Sequence, residues 1–226
     1  MMTRNAALVS HYGNIIRLAR DLAREAEKQP LKSIAAIIMS AASVEGFINE
    51  LLEELQFELH GSSSSKMPRK LRLLARLAGE LDQRNASVAL KLQLYVGCLR
   101  TEPWDTGHAM YQDLDLLLKL RNALVHSRPE RLSIDDLESS KRQPLVERLH
   151  SRVPLRIVPQ REPLVRMLGP ALVVQQPEVA QWAFATAERT CLALAECMPR
   201  GLRRTLARAK VTGERVRGTK PVPLPD

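Results

Sequence analysis

Leu114-Asp115-Leu116-Leu117-Leu118-Lys119-Leu120-Arg121-Asn122-Ala123-Leu124-Val125-His126 is the stretch on which the reading of this chain turns. Its leucines form a strongly apolar helical run, and the run closes on an arginine, an amide and an imidazole. Those three groups can grip a phosphate and move a proton, a combination no other segment offers. The surrounding composition agrees with helix. Aromatic residues are only 4% of the chain, Ala and Leu dominate, and long segments lack Gly and Pro. Strand-type alternation is scarce, so the expectation is an all-α protein.

Outward from this stretch, apolar periodicity predicts a first helix from about Ala6 to Lys28, with Leu8, Tyr12, Ile15, Ala19, Leu22 and Ala26 on one face. Pro30 marks a break. A long central helix follows from about Leu31 to Leu59, apolar on more than one face. Gly61 and Ser62 to Ser65 read as a flexible connection. A basic amphipathic helix spans roughly Met67 to Asp82, a shorter one about Ser87 to Cys98, and the motif helix His108 to Ser127. Pro129 ends it by disfavouring helical geometry at Arg128. From 128 to 177 prolines recur, which predicts an irregular insertion lying against the core as a potential lid. Within it Ser133 and Asp136 resemble a capping box for a helix reaching Leu149, and Val153 to Val158 is a candidate extended segment. The last helix, Glu178 to Met198, is expected to present Trp182, Ala185, Leu192 and Ala195 at helical spacing. Trp104 and Trp182 read as core or lid anchors. The expected organisation is one helical domain over 1–199, including the insertion, and a tail over 200–226.

The net charge of +9 is unevenly placed. The tail holds eight basic residues against two acids, a net +6, and Arg203, Arg204 and Arg208 are candidate RNA-phosphate contacts. The alternative for this tail is a solvated, solubilising appendage, since no aromatic residue interleaves its charges. The insertion arginines Arg142, Arg148, Arg152, Arg156, Arg161 and Arg166 are either a groove lining or a solvated surface. Cys98, Cys191 and Cys197 form no Cys-x-x-Cys pair and read as small core hydrophobes. The five histidines show no ligand spacing, so no metal or cofactor is expected. The start of the chain does not read as a signal peptide, and no uninterrupted apolar run approaches the roughly 18 residues of a membrane helix. The expectation is a cytoplasmic protein with no membrane partner.

On one helix Asn122 and His126 share a face, whereas Arg121 and His126 lie about 140° apart. A single straight helix cannot aim both at one phosphate from the same stripe. Two copies can, if their motif helices meet across a two-fold axis. Glu45 and Asn49, four apart on the central helix, are either inward partners for Arg121 or His126 or a solvent-facing edge.

The Arg121-Asn122 pair followed by His126, near a helix end, resembles the signature of the HEPN superfamily. The upstream segment Ser40-Ala41-Ala42-Ser43-Val44-Glu45-Gly46-Phe47-Ile48-Asn49-Glu50-Leu51-Leu52 resembles the second helix of such domains. The resemblance covers the helices from about Ala6 to Ser127 and Glu178 to Met198, leaving the insertion and the tail outside it. It implies an antiparallel helical bundle of HEPN type, and a metal-independent endoribonuclease of toxin or antiviral-defence type working at a composite homodimer site. RNA is attacked by its own 2′-hydroxyl, leaving a 2′,3′-cyclic phosphate. Under it Arg121 binds the phosphate, Asn122 orients the phosphate or imidazole, His126 transfers the proton, and Glu45 and Asn49 are candidate supports. An antitoxin or other defence-system protein is a possible partner. HEPN toxins controlled by a nucleotidyltransferase usually carry Tyr two residues after the His; here that residue is Arg128. The alternative function is a non-catalytic HEPN-like module for RNA or protein binding.

Overall fold

The chain is described by a computed structural model over residues 12–60, 68–100, 104–126, 144–156 and 173–198. Leu8, the serine connection, Pro129, the Ser133–Asp136 cap, Arg142, Arg161, Arg166 and the tail arginines Arg203, Arg204 and Arg208 lie outside those residues. Every regular element within them is a helix. In chain order these are α1 (Tyr12–Glu25), α2 (Leu31–His60), α3 (Arg69–Gln83), α4 (Val88–Leu99), α5 (Ala109–Val125), α6 (Pro144–His150) and α7 (Pro177–Cys197), and residues 173–174 are also helical.

α2 is the axis of the bundle. Its buried Ile37, Val44, Phe47, Ile48, Leu51, Leu52 and Leu55 look in several directions, so neighbours must cover it on several sides. α1, α3, α5 and α7 do so. The segment Leu31–Gln56 is long and apolar enough, by length and composition, to cross a bilayer, and half of it is buried inside this bundle. Its apolar length therefore matches its place in the bundle as a core helix. Tyr12 of α1 stacks against Phe47 with ring centroids 4.8 Å apart.

Two joints show how local sequence sets the path. At the end of α3, Asn85 takes a positive φ of 50°. Its N–H donates to Asp82 O and that of Ala86 to Leu81 O, a Schellman closure with Asn in the left-handed position. Ser87 then caps α4, its Oγ accepting from Leu90 N at 3.3 Å.

The last helix differs from expectation in the face it buries. Of the four residues expected there Ala195 is buried, Trp182 and Ala185 are only partly covered and Leu192 is exposed, and the rest of the inner seam is Val179, Ala180, Ala183, Ala187, Thr190, Cys191 and Leu194. Small residues predominate because α1, α2 and α7 meet closely through alanines such as Ala23, Ala26, Ala36 and Ala180. Within the described part of the predicted extended segment, 153–156, there is no strand. Val153 is instead a buried plug beside Leu149, and together they seat the α6 segment on the core.

These burial assignments can be checked by unfolding. Leu194→Ala should destabilise the fold by about 2–5 kcal/mol, whereas Leu192→Glu should stay within about 0.5 kcal/mol of the parent. Equal losses in thermal or urea denaturation would contradict the orientation of α7.

Candidate functional site

α5 begins at His108, whose Nδ1 accepts from Met110 N at 3.3 Å, and buries Leu114, Leu116, Leu117 and Leu120. Its last turn is different. Asn122, Ala123, Val125 and His126 are exposed, Val125 at 50%. His126 terminates the helix with φ −108° and ψ 26°, its N–H donating to Asn122 O at 2.9 Å. The imidazole is thus open to solvent at the negative end of the helix dipole.

Arg121 points the other way, toward α2. Its Nη2 donates to Glu45 Oε2 at 2.9 Å and its Nη1 to Asn122 Oδ1 at 2.9 Å. Two of the five N–H donors of the guanidinium are engaged this way, and its side chain stays 30% exposed. In such a half-solvated setting the ion pair contributes about 0–1 kcal/mol to stability. Its larger effect is to orient the guanidinium and, through it, the Asn122 amide. Arg121 and His126 share no hydrogen bond among the described residues, as the angular offset around one helix requires.

Asn49 goes elsewhere. Its Oδ1 accepts from Lys91 Nζ of α4 at 2.9 Å, and Lys91 also pairs with Asp82. Of the two supporting residues on α2, Glu45 reaches the motif helix and Asn49 braces α4. The next residue, Glu50, is buried and accepts the Tyr12 N–H at 2.8 Å, anchoring the start of α1.

The first half of α5 carries a second polar cluster. Asp115 Oδ2 accepts from Lys119 Nζ at 3.0 Å and from Arg148 Nη2 at 2.9 Å. Asp113, nearly buried, pairs with Arg152 at 3.6 Å and with Arg189 of α7 at 3.3 Å. Arg152 also donates to Gln112 Oε1. Arg156 pairs with Glu178, and its N–H donates to the Oε1 of Gln176 at 2.8 Å. Arg148, Arg152 and Arg156 therefore clamp the insertion to α5 and α7, each held in an ion pair. Gln112, Asp115, Leu116, Arg148, Ser151 and Arg152 enclose a pocket of ≈ 410 Å³. Acids set in a leucine-rich helix were the available signal for this cluster, since such residues seldom turn inward unpaired.

Burial acts to raise the Asp115 carboxyl, but hydrogen bonds from Arg148 and Lys119 outweigh it and hold the group below the usual carboxylate range. Burial pushes the Tyr12 phenol and the Cys191 thiol up, keeping both neutral in the core. Among the described residues no group of three or more His, Cys, Asp or Glu could hold a metal ion. The cysteines are free, with Cys191 buried and Cys98 and Cys197 half-buried.

Comparison with protein-family models, with curated proteins and with solved structures returns no match to this chain.

The depressed Asp115 fixes the sign of one pH effect. A lowered folded-state value means the carboxylate stabilises the fold above its unfolded value, near 3.9, and that this contribution disappears as pH falls through the folded value. Asp115→Asn should therefore be less stable than the parent at pH 7, and the two unfolding curves should converge in the acid range below about pH 4. A gap that is the same at pH 7 and at pH 3 would show that the Asp115 charge is not what holds the insertion.

Proposed function

We propose that this protein is a HEPN-like endoribonuclease that cleaves RNA through the 2′-hydroxyl at a site shared by two copies. The observation that carries the reading is the Arg121–Glu45 ion pair at 2.9 Å. It links the two segments on which the resemblance rests, and it fixes the guanidinium at the C-terminal end of α5, where Arg121 also donates to the Asn122 amide oxygen. His126 stands at that same end of α5, exposed and free to meet a substrate.

The chemistry needs few parts. The 2′-hydroxyl attacks the adjacent phosphorus as a base takes its proton; the bond to the 5′-oxygen breaks and that oxygen receives a proton. An imidazole can both accept and donate a proton, so His126 is the group suited to the two transfers. Two copies of His126 across a two-fold axis supply base and acid together. Arg121 offsets the charge that develops on the phosphorane, using donors that Glu45 and Asn122 leave open. Exposed Ala123 and Val125 beside His126 give a second copy an apolar footing. In this reading the basic tail adds sequence-independent phosphate binding, and the biological setting is a toxin or antiviral-defence system in which another protein restrains the activity.

One observation favours a second reading. The charge of Arg121 is already met by Glu45, which suits a non-catalytic module whose motif is structural. Incubation of purified protein with end-labelled RNA in EDTA separates the two. The enzyme reading expects 2′,3′-cyclic phosphate ends, a particle of twice 25.4 kDa in solution, and losses of about a hundredfold or more for His126→Ala and Arg121→Ala. Both variants should melt with the parent, because neither residue belongs to the leucine seam. Wild-type cleavage by both folded variants would sink the catalytic assignment.

A further inference from the structure

The pocket between α5 and the α6 segment carries more positive charge than its carboxylates neutralise. Asp115 is shared by Lys119 and Arg148, and Asp113 by Arg152 and Arg189. Four cations thus meet two carboxylates. The ion pairs account for the docking of the insertion, yet docking by Arg148 and Arg152 alone would leave the cluster neutral. Lys119 and Arg189, about half exposed, are the surplus. Arg148 and Arg152 line the concavity itself, beside the Gln112 amide. A concave wall with two guanidinium groups and one carboxylate carries a net positive charge, suited to a phosphate oxygen, which accepts several such bonds at once.

The position of the pocket on α5 adds a second, independent observation. Asp115, Lys119, Asn122 and His126 succeed one another at intervals of four, three and four, so they fall on one stripe of the helix. The rise from Asp115 to His126 is about 16 Å. Along that stripe the excess cations at one end and the imidazole at the other face the same side of the helix.

We infer that the Gln112–Asp115–Arg148–Arg152 pocket, with Lys119 and Arg189 joined to its cluster through Asp115 and Asp113, is a phosphate-binding site separate from the motif and in line with it along α5. For an extended polyanion such as single-stranded RNA it serves as a second subsite, a role that rests on the ribonuclease reading. For a small phosphate compound it is a site in its own right.

Lys119→Gln/Arg189→Gln removes the surplus charge and leaves the Arg148–Asp115 and Arg152–Asp113 pairs in place, so the variant should melt close to the parent. Pyrophosphate and a 12-nucleotide oligouridylate serve as separate probes, titrated into the full chain by calorimetry at two salt concentrations. The expected result is saturable binding of pyrophosphate, weakened about fivefold to tenfold in the variant. RNA affinity should fall in parallel, and its log-log salt slope should shrink by roughly 0.7 for each phosphate the variant no longer neutralises. Weakened pyrophosphate binding with unchanged RNA binding upholds the site and assigns it to a small phosphate compound. No saturable pyrophosphate binding by the parent, or equal affinities in parent and variant, overturns it. His126→Ala should leave the pyrophosphate titration unaltered, so loss of cleavage with retained pyrophosphate binding would tell failure of the ribonuclease reading from failure of this one.

Discussion

The covering of α2 is the constraint from which the rest of the bundle follows. A helix with Ile37, Phe47, Ile48, Leu51, Leu52 and Leu55 buried on several sides cannot lie at a surface. It must be surrounded, and α1, α3, α5 and α7 are the elements that surround it. Hydrophobic burial sets that arrangement without choosing registers, because apolar attraction is not directional.

Registers come from the polar residues that interrupt α2. Glu45 takes the Arg121 guanidinium of α5, Asn49 takes the Lys91 ammonium of α4, and Glu50 takes the Tyr12 N–H at the start of α1. Each is a bond between elements far apart in sequence, and each is satisfied only when its partner helix stands at one height. A slip by a turn would unmake all three, at a cost of about 1–3 kcal/mol for the buried Glu50 carboxylate and about 0–1 kcal/mol for the half-solvated Arg121–Glu45 pair. The same three bonds that order the bundle also decide that Arg121 is turned inward while His126 remains at the open end of α5.

A second layer of polar interactions attaches the insertion. Leu149 and Val153 provide its apolar seat, and Asp113, Asp115, Gln112 and Gln176 receive its arginines and backbone. Gln176 joins further parts of the chain, since its carbonyl also accepts the Ser33 hydroxyl of α2 at 2.9 Å. The result is that the chain on either side of the insertion is tied to the motif helix, and the surplus of cations in that tie creates the phosphate pocket.

Much of the fold was legible in the residues alone: the succession of helices, the break at Pro30, the gap between Asp82 and Ser87, the leucine seam of α5 and its polar end. These depend on helical periodicity and on capping chemistry, both of which act over a few residues. The buried face of α7 was not legible, because large residues such as Trp182 and Leu192 suggested one seam while close helix approach selected Ala180, Ala183, Ala187 and Cys191. Nor could spacing distinguish Glu45 from Asn49, which stand one turn apart on the same side of α2 and meet different helices. Periodicity gives the angle of a residue about its own axis. Which charge or alanine waits across the gap is set by how distant helices cross, and that was decided only when the bundle closed around α2.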